Sequence, residues 1–171
     1  MDVVFFLHGN GPASRWAAAA AVGDDIAFFG PTKSMPRHKG KPDWALFLGD
    51  ESAIGLAASL LETLPHTTQV MGAIELDDLD APALGALDLP LHTAIRKQKH
   101  GAPLLEWLEQ TPLPDGKGMI WLSGEASSAR ALKRMLAKRD RDGVRLKVKT
   151  YWSCKGHAHR KALDQMDIAA K

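Results

Sequence analysis

Cysteine, aromatic residues and long hydrophobic runs are all scarce in this sequence. The single cysteine, Cys154, excludes an internal disulfide, and no cysteine pair is present to bind zinc or an iron–sulfur cluster. No apolar run approaches the roughly 18 residues that a spanning helix needs, which argues against a membrane-embedded protein. The first residues lack the basic start of an export signal, so we expect a cytoplasmic protein that is not inserted in a membrane.

The charged residues are unevenly distributed along the 171-residue chain. Hydrophobic residues make up 45% and charged residues 25%, which is the balance of a folded globular protein. Residues 1–125 hold 9 basic and 16 acidic residues, whereas residues 126–171 hold 13 basic and 4 acidic ones, giving the total charge of +2. This basic end indicates either a surface for an anionic ligand or a solvated helix face with a charged tail.

Alternating strand and helix patterns begin at residue 44 and predict an α/β fold, an open parallel sheet with helices on both faces. We predict strands at 44–48, 69–76, 91–95, 119–122 and 146–152, and helices from 49 to about 64 and at 103–109, 125–139 and 159–168. The first 34 residues do not follow this alternation, and there we predict strands at 3–7 and 26–29 and a helix at 13–21. The expected division is therefore a separate piece at 1–34, a linker at 35–43 and a sheet domain at 44–171.

The turn between the first predicted strand and helix contains closely spaced glycines. Gly9 and Gly11 fit part of a dinucleotide-binding fingerprint, but Ser14 stands at the third glycine position. The unpaired N–H groups at the start of a helix still permit anion binding, and a plain turn with a cap would have the same sequence.

Two later turns, Gly49–Ser52 and Ser123–Glu125, each lie between a predicted strand and a helix. Ligands of parallel sheets bind at the carboxyl ends of the strands, which is where both turns should lie. After the second turn, Arg130, Arg134 and Lys138 share one helix face and suit a nucleotide phosphate, although a solvated face would show the same spacing. Two such turns in one sheet favour a nucleotide site over capped helices alone.

The end of the last strand combines aromatic and basic residues. Tyr151 and Trp152 could stack on a flat ring. His157 and His159 have the spacing of a metal-binding pair, but no cysteine or carboxylate set accompanies them, so we predict no metal site. No supporting motif surrounds Cys154 either, and no catalytic nucleophile is assigned.

Several segments, in order, resemble the siderophore-interacting proteins, which are flavin-dependent ferric-siderophore reductases of the ferredoxin–NADP reductase superfamily. The resemblance is carried by LFLGDESAIGLAASLLETLP, AIELDD, WLSGEASSARALKRML and VKTYW. The earlier segment HGNGPASRWAAAAAVGDDIAFFGP resembles the end of that family's FAD-binding β-barrel domain. Together these blocks span most of residues 1–155.

The resemblance implies a reductase that passes electrons from NAD(P)H, either NADPH or NADH, through FAD to a ferric siderophore. The implied architecture is a ferredoxin reductase-like NAD(P)-binding domain preceded by the last strands of the flavin barrel. The implied FAD-binding residues are His8, Gly11, Pro12, Ala13, Ser14 and Trp16. The implied NAD(P)H-binding residues are Gly49, Asp50, Glu51, Ser52, Ser123, Gly124, Glu125 and Arg130, with Lys155 as a residue for the siderophore.

The sequence departs from this family at the flavin barrel. The family's Arg-x-Tyr-Thr motif and the first barrel strands are not found in these 171 residues, and Thr150 stands where a glycine is usual. A second hypothesis is therefore a truncated, non-catalytic remnant that binds a nucleotide or a partner protein. Barrel edges without partner strands would favour self-pairing. Binding of nucleic acid is a third and weaker hypothesis, since few aromatics interleave with the basic residues.

Overall fold

A parallel sheet of five strands forms the frame of the larger part of the chain. The structure, a computed structural model, describes residues 5–7, 11–27, 40–97, 99–139 and 142–154. The chain divides into two units, Met1–Pro36 and Arg37–Lys171, and the sheet belongs to the second.

The strands and helices of the second unit alternate along the chain. The strands are β1 (Trp44–Asp50), β2 (Gln69–Leu76), β3 (His92–Ile95), β4 (Gly118–Glu125) and β5 (Val144–Trp152). The first unit contains α1 (Pro12–Ala19), and the second contains α2 (Ile54–Leu61), α3 (Ala81–Ala86), α4 (Ala102–Gln110) and α5 (Ala126–Ala137). Short 3-10 turns at Glu51–Ala53 and Asp78–Asp80 precede α2 and α3.

All neighbouring strands in the sheet are parallel, in the order β3-β2-β1-β4-β5. The two central strands β1 and β4 are buried along their whole length. Their sequences are near-continuous apolar runs, as expected for strands that are covered on both faces. The strand order reverses between β1 and β4, so the crevice at their carboxyl ends is the place where this architecture binds ligands.

The core lies on both faces of the sheet because successive side chains of a strand point in opposite directions. Leu46 and Leu48 of β1 pack with Leu104 and Leu108 of α4 and with Leu132 of α5. On the other side of β1, Ala45 and Phe47 are equally buried. The helix α2 contacts β1 and buries a stripe of its own, formed by Ile54, Ala57 and Leu60.

The predicted fold class, an open parallel sheet with helices, is confirmed, and the strand prediction at 69–76 has the observed bounds. The predicted helix from 49 to about 64 is wrong at both ends. Its first residues belong to β1 and a 3-10 turn, and its end unwinds into a turn in which Leu64 N–H donates to the carbonyl of Leu61. The apolar composition of this helix predicted burial on nearly all sides, but Gly55 and Ser59 are exposed.

The helix α3 was not predicted from the sequence. Three aspartates and Pro82 gave the segment the composition of a loop. Proline is compatible with the first turn of a helix, where its missing N–H has no intrahelical partner to lose, and Pro82 stands there.

The two strands predicted within the first unit are not found where the structure describes these residues. Phe5–Leu7 and residues 26–27, the described parts of those predictions, have no strand structure. A strand needs a hydrogen-bonded neighbour, and the described residues of this unit supply none. The described residues of this unit include the helix α1, and the ring of its Trp16 lies 5.6 Å from the ring of Phe5. The helix predicted at 159–168 lies outside the described residues.

Gly72 in β2 allows a contact that another residue would prevent. Its φ is +148°, and a Cβ at this position would lie 2.0 Å from the carbonyl oxygen of Phe47 on the neighbouring strand. We expect Gly72→Ala to lower the free energy of unfolding by at least about 2 kcal/mol in denaturant titrations.

The matched control for this change is Gly55→Ala. A Cβ at Gly55 meets nothing within 4 Å, and the position is helical, so alanine should stabilise the protein by about 0.5–1 kcal/mol. Equal effects of the two substitutions would contradict the packing described here.

Candidate functional site

Buried carboxylates lie at the edge of the sheet where its parallel strands end. Asp50 is the last residue of β1, Glu75 is the last but one of β2, and Glu125 is the last of β4. Each is less than 5% exposed. A buried carboxylate is costly unless it is paired or hydrogen-bonded, so each one needs donors from the elements around it.

Asp50 connects the ends of three strands. Its Oδ2 accepts hydrogen bonds from the backbone N–H of Glu125 at 2.7 Å and from the indole N–H of Trp152 at 3.1 Å. Its Oδ1 accepts from the N–H of Ser52 at 3.0 Å and from the Ser52 hydroxyl. The same side chain therefore caps the 3-10 turn after β1 and joins β1 to β4 and β5.

Gly124 makes room for this arrangement. Its φ is +104°, and a Cβ there would lie 2.4 Å from Oδ2 of Asp50. The carboxyl end of β4 thus needs a glycine at position 124 for two reasons, the positive φ of its backbone and the close approach of a carboxylate.

Glu125 is held by donors from the start of α5 and the end of β5. Its Oε2 accepts from the N–H of Ser128 at 2.8 Å and from the Ser127 hydroxyl, and its Oε1 accepts from the N–H of Cys154 at 3.3 Å. Burial alone would raise the pKa of Glu125, but these hydrogen bonds outweigh burial and lower it below its ordinary value. The carboxylate acts as the cap of α5.

Arg96, directly after β3, is surrounded by three carboxylates. Its Nε donates to Glu75 at 2.7 Å, one terminal nitrogen donates to Asp77 at 3.1 Å, and the other donates to Glu51 at 2.5 Å. The arginine side chain is only 10% exposed. Burial disfavours its charge, yet the bonds to Glu51 and Glu75 raise its pKa above the ordinary value, so it stays charged.

Glu75 also fixes the connection between β3 and α4. Its Oε2 accepts the N–H of Gly101 at 2.6 Å, immediately before α4. The Nδ1 of His100 lies 3.7 Å from Oε1 of Glu75, which is too long for a hydrogen bond. The His100 ring instead meets Trp152 edge-on, with 4.9 Å between ring centres. Side chains from the ends of all five strands are therefore connected.

Two buried polar atoms at this edge, the hydroxyl of Ser123 and the Nδ1 of His100, have no hydrogen-bond partner within the described residues. Ser123, at the carboxyl end of β4, is 5% exposed, and its buried hydroxyl makes no hydrogen bond there. Buried polar groups normally have a partner, so this hydroxyl indicates a place for a polar group of a ligand or for a water molecule. Its place beside the reversal of strand order fits a nucleotide.

The structure brings the two predicted turns together. Gly49 and Asp50 end β1, Glu51 and Ser52 form the turn after it, and Ser123–Glu125 end the adjacent strand β4. Trp152 joins them through its bond to Asp50, whereas the neighbouring Tyr151 is 38% exposed. Arg130 lies just beyond the first turn of α5.

The residues predicted to bind FAD belong to the first unit. Gly11 precedes α1, Pro12, Ala13 and Ser14 form its first turn, and Trp16 packs on Phe5. Among the described residues no side chain caps the start of this helix, and its first turn has no acidic residue. Its N-terminal N–H groups and the positive end of its dipole therefore suit a pyrophosphate. His8 and the siderophore candidate Lys155 lie outside the described residues.

Arg96, Glu75 and His100 are parts of this site that the sequence did not predict. The environment of Arg96 depends on Glu51 and Glu75, which lie 45 and 21 positions away along the chain. The sequence did contain a signal for the ion pair. The carboxyl ends of parallel strands lie at the same edge of a sheet, so an arginine directly after β3 should lie near the acidic residues at the end of the neighbouring strand β2.

An open parallel sheet with two strand–turn–helix units at its reversal of order is the architecture of nucleotide-binding α/β proteins. The family model for siderophore-interacting proteins matches residues 42–155, and the model for the siderophore-interacting FAD-binding domain matches residues 1–35. The chain belongs to the siderophore-interacting protein family.

Its relatives include named ferric reductases. Ferric vibriobactin reductase ViuB of Vibrio cholerae is 27% identical over 142 residues, which cover 80% of this chain and 52% of that protein. The NADPH-dependent ferric-chelate reductase of Escherichia coli is 29% identical over 162 residues, covering 91% of this chain and 61% of that protein. The chain thus spans about half to three fifths of these relatives.

A solved structure shows the same fold. The siderophore-interacting protein from Acinetobacter baumannii matches with a TM-score of 0.71 at 20% identity, over 96% of this chain and 67% of that one. Within the described residues, no helix has the length and apolar character to cross a membrane, and no group of acidic, histidine and cysteine side chains could hold a metal ion.

Because Arg96 pairs with buried Glu75, we expect that replacing Arg96 greatly lowers the free energy of unfolding. Arg96→Met leaves buried Glu75 without its cationic partner, and we expect a loss of about 3–5 kcal/mol in the free energy of unfolding. The control is Lys97→Met, which removes the same charge at the exposed neighbouring position and should change stability by less than about 0.5 kcal/mol. Similar losses in the two variants would show that the ion pairs contribute little.

The lowered pKa of Glu125 predicts a dependence of stability on pH. Because its pKa is lower in the folded state, Glu125 contributes stability above about pH 4.5, and this is lost as the pH falls through the folded value. Glu125→Gln cannot titrate, so its free energy of unfolding should fall less steeply than that of the unchanged protein below pH 4.5. Parallel curves in acid denaturant titrations would contradict this assignment.

Proposed function

We propose that this chain contains the nicotinamide-nucleotide part of a ferric-siderophore reductase, in which electrons pass from NAD(P)H through FAD to ferric iron. The main support is the family match over residues 42–155, whose two turns meet at the carboxyl ends of β1 and β4. The names of two relatives, a ferric vibriobactin reductase and a ferric-chelate reductase, agree with this chemistry. Such a reaction uses the cytoplasmic nicotinamide pool, and we propose that the protein acts there.

The residues at the sheet edge would bind and orient the nucleotide. Asp50 and Glu125 hold the two turns in fixed positions through their hydrogen bonds. The Ser123 hydroxyl has no partner within the described residues and would meet a polar group of the ligand. Trp152, fixed by Asp50, and Tyr151 would contribute aromatic rings at the end of β5. Arg130, just beyond the first turn of α5, would contribute a cation.

The first unit would hold the flavin by its pyrophosphate at the start of α1. When bound, the nicotinamide supplies a hydride and the flavin divides its two electrons, so that two ferric ions are reduced in turn. These cofactors carry the redox chemistry, and this chain's residues supply alignment and charge. No side chain is assigned as an acid, base or nucleophile.

The basic end of the chain would attract the substrate. Many ferric siderophores are anionic, and a basic surface raises the local concentration of an anion. Residues 126–171 carry 13 basic and 4 acidic residues, which gives this end of the chain a net positive charge. Lys155 remains our proposed siderophore contact. Ferrous iron is held less tightly than ferric iron by hard oxygen ligands, so reduction would release it.

Calorimetry on the full chain tests the nucleotide site. We expect saturable binding of NADPH or NADH, and Ser123→Ala should weaken it about fivefold through the loss of one hydrogen bond. The control Ser59→Ala changes an exposed serine of α2 and should leave the affinity unchanged. No binding at millimolar nucleotide would overturn the proposed function.

Addition of FAD, a ferric siderophore and a ferrous-iron chelator tests turnover. Nucleotide-dependent formation of ferrous iron is the expected result. Binding without any reduction would instead support the hypothesis of a non-catalytic nucleotide-binding protein.

A further inference from the structure

We propose that the nucleotide site prefers a dinucleotide without a 2′-phosphate, so that NADH binds more tightly than NADPH. The inference concerns the end of β2 and the residue Arg96. It rests on the proposed function, because it assumes that a nicotinamide dinucleotide binds at the carboxyl edge of the sheet.

In sheets with this strand order, the strand after the first ligand turn ends close to the adenosine ribose. An acidic residue there accepts hydrogen bonds from the 2′-hydroxyl group, whereas a nearby arginine accommodates a 2′-phosphate. Here β2 ends with Glu75 and Leu76 and is followed by Asp77 and Asp78. Asp77 is 57% exposed, so its carboxylate is accessible to a ribose hydroxyl.

The arginine that could accept a phosphate is already engaged. The Nε and both terminal nitrogens of Arg96 each donate to a different carboxylate, those of Glu75, Asp77 and Glu51. With 10% of its side chain exposed, Arg96 could turn toward a phosphate only by leaving buried Glu75 without its cationic partner. Three carboxylates around one guanidinium also leave an excess of negative charge, which repels a phosphate dianion.

Two exposed lysines provide the competing attraction. Lys97 and Lys99 follow Arg96 on the connection to α4, and a 2′-phosphate could meet them. Because both are exposed, their attraction is screened by water and salt, and holding a long side chain in place costs entropy. Glu51 and Glu75, in contrast, are fixed in position by Arg96.

Calorimetric titrations of the full chain with NADH and NADPH in the same buffer test this preference. We expect NADH to bind at least about tenfold more tightly. The fragments 5′-AMP and adenosine 2′,5′-bisphosphate should show the same order, because they differ only in the 2′-phosphate.

One variant pair assigns the preference to its residue. Asp77→Asn keeps an oxygen acceptor for Arg96 but removes one negative charge, so NADPH affinity should rise about fivefold relative to NADH. Asp142→Asn makes the same change just before β5, at the opposite edge of the sheet, and should leave the ratio unchanged.

The outcomes separate the two proposals. Equal or tighter binding of NADPH, or a ratio unaffected by Asp77→Asn, overturns this inference and leaves the proposed function in place. No binding of either nucleotide overturns both.

Discussion

The need of buried carboxylates for donors organises the functional end of this protein. Asp50, Glu75 and Glu125 end three different strands and are almost inaccessible to solvent. Each takes its donors from neighbouring elements: Asp50 from β4 and β5, Glu75 from Arg96 and the start of α4, and Glu125 from α5 and Cys154. Burying one of these carboxylates without donors would cost free energy, so each one is hydrogen-bonded to neighbouring elements. These hydrogen bonds connect the strand ends and hold the loops of the site in fixed positions.

The residues at this edge have two different roles: some hold the ends of the strands in position, and others could contact a ligand. Two of the acidic residues predicted to bind nucleotide, Asp50 and Glu125, already have three or more donors each. In our account they position the turns, while the Ser123 hydroxyl and the exposed carboxylate of Asp77 supply contacts. Membership of the siderophore-interacting family and these positioned turns lead to the same proposal, a sheet edge that aligns a nicotinamide nucleotide.

The sequence predicted most of the sheet domain because burial on both faces produces a local signal. The apolar runs at 44–48 and 69–76 are strands in the structure, and the glycine-containing ends of β1 and β4 lie at one edge of the sheet. The environment of Arg96 could not be predicted in this way, because its three partners come from two other segments of the chain. Local composition also gave wrong predictions at two places. The segment of α3 has the aspartates and proline of a loop but forms a helix. Residues 5–7 and 26–27 have the composition of strands but form none.

Hydrogen–deuterium exchange of the full chain, free and saturated with nucleotide, shows whether the nucleotide binds at the carboxyl ends of β1 and β4. We expect slower exchange in the segments 49–55 and 123–128, whose backbone groups surround Asp50, Ser123 and Glu125, with no change at the opposite edge in residues 113–118 and 142–144. Protection confined to that opposite edge, or unchanged exchange in both carboxyl-end segments at saturation, would show that the nucleotide binds elsewhere.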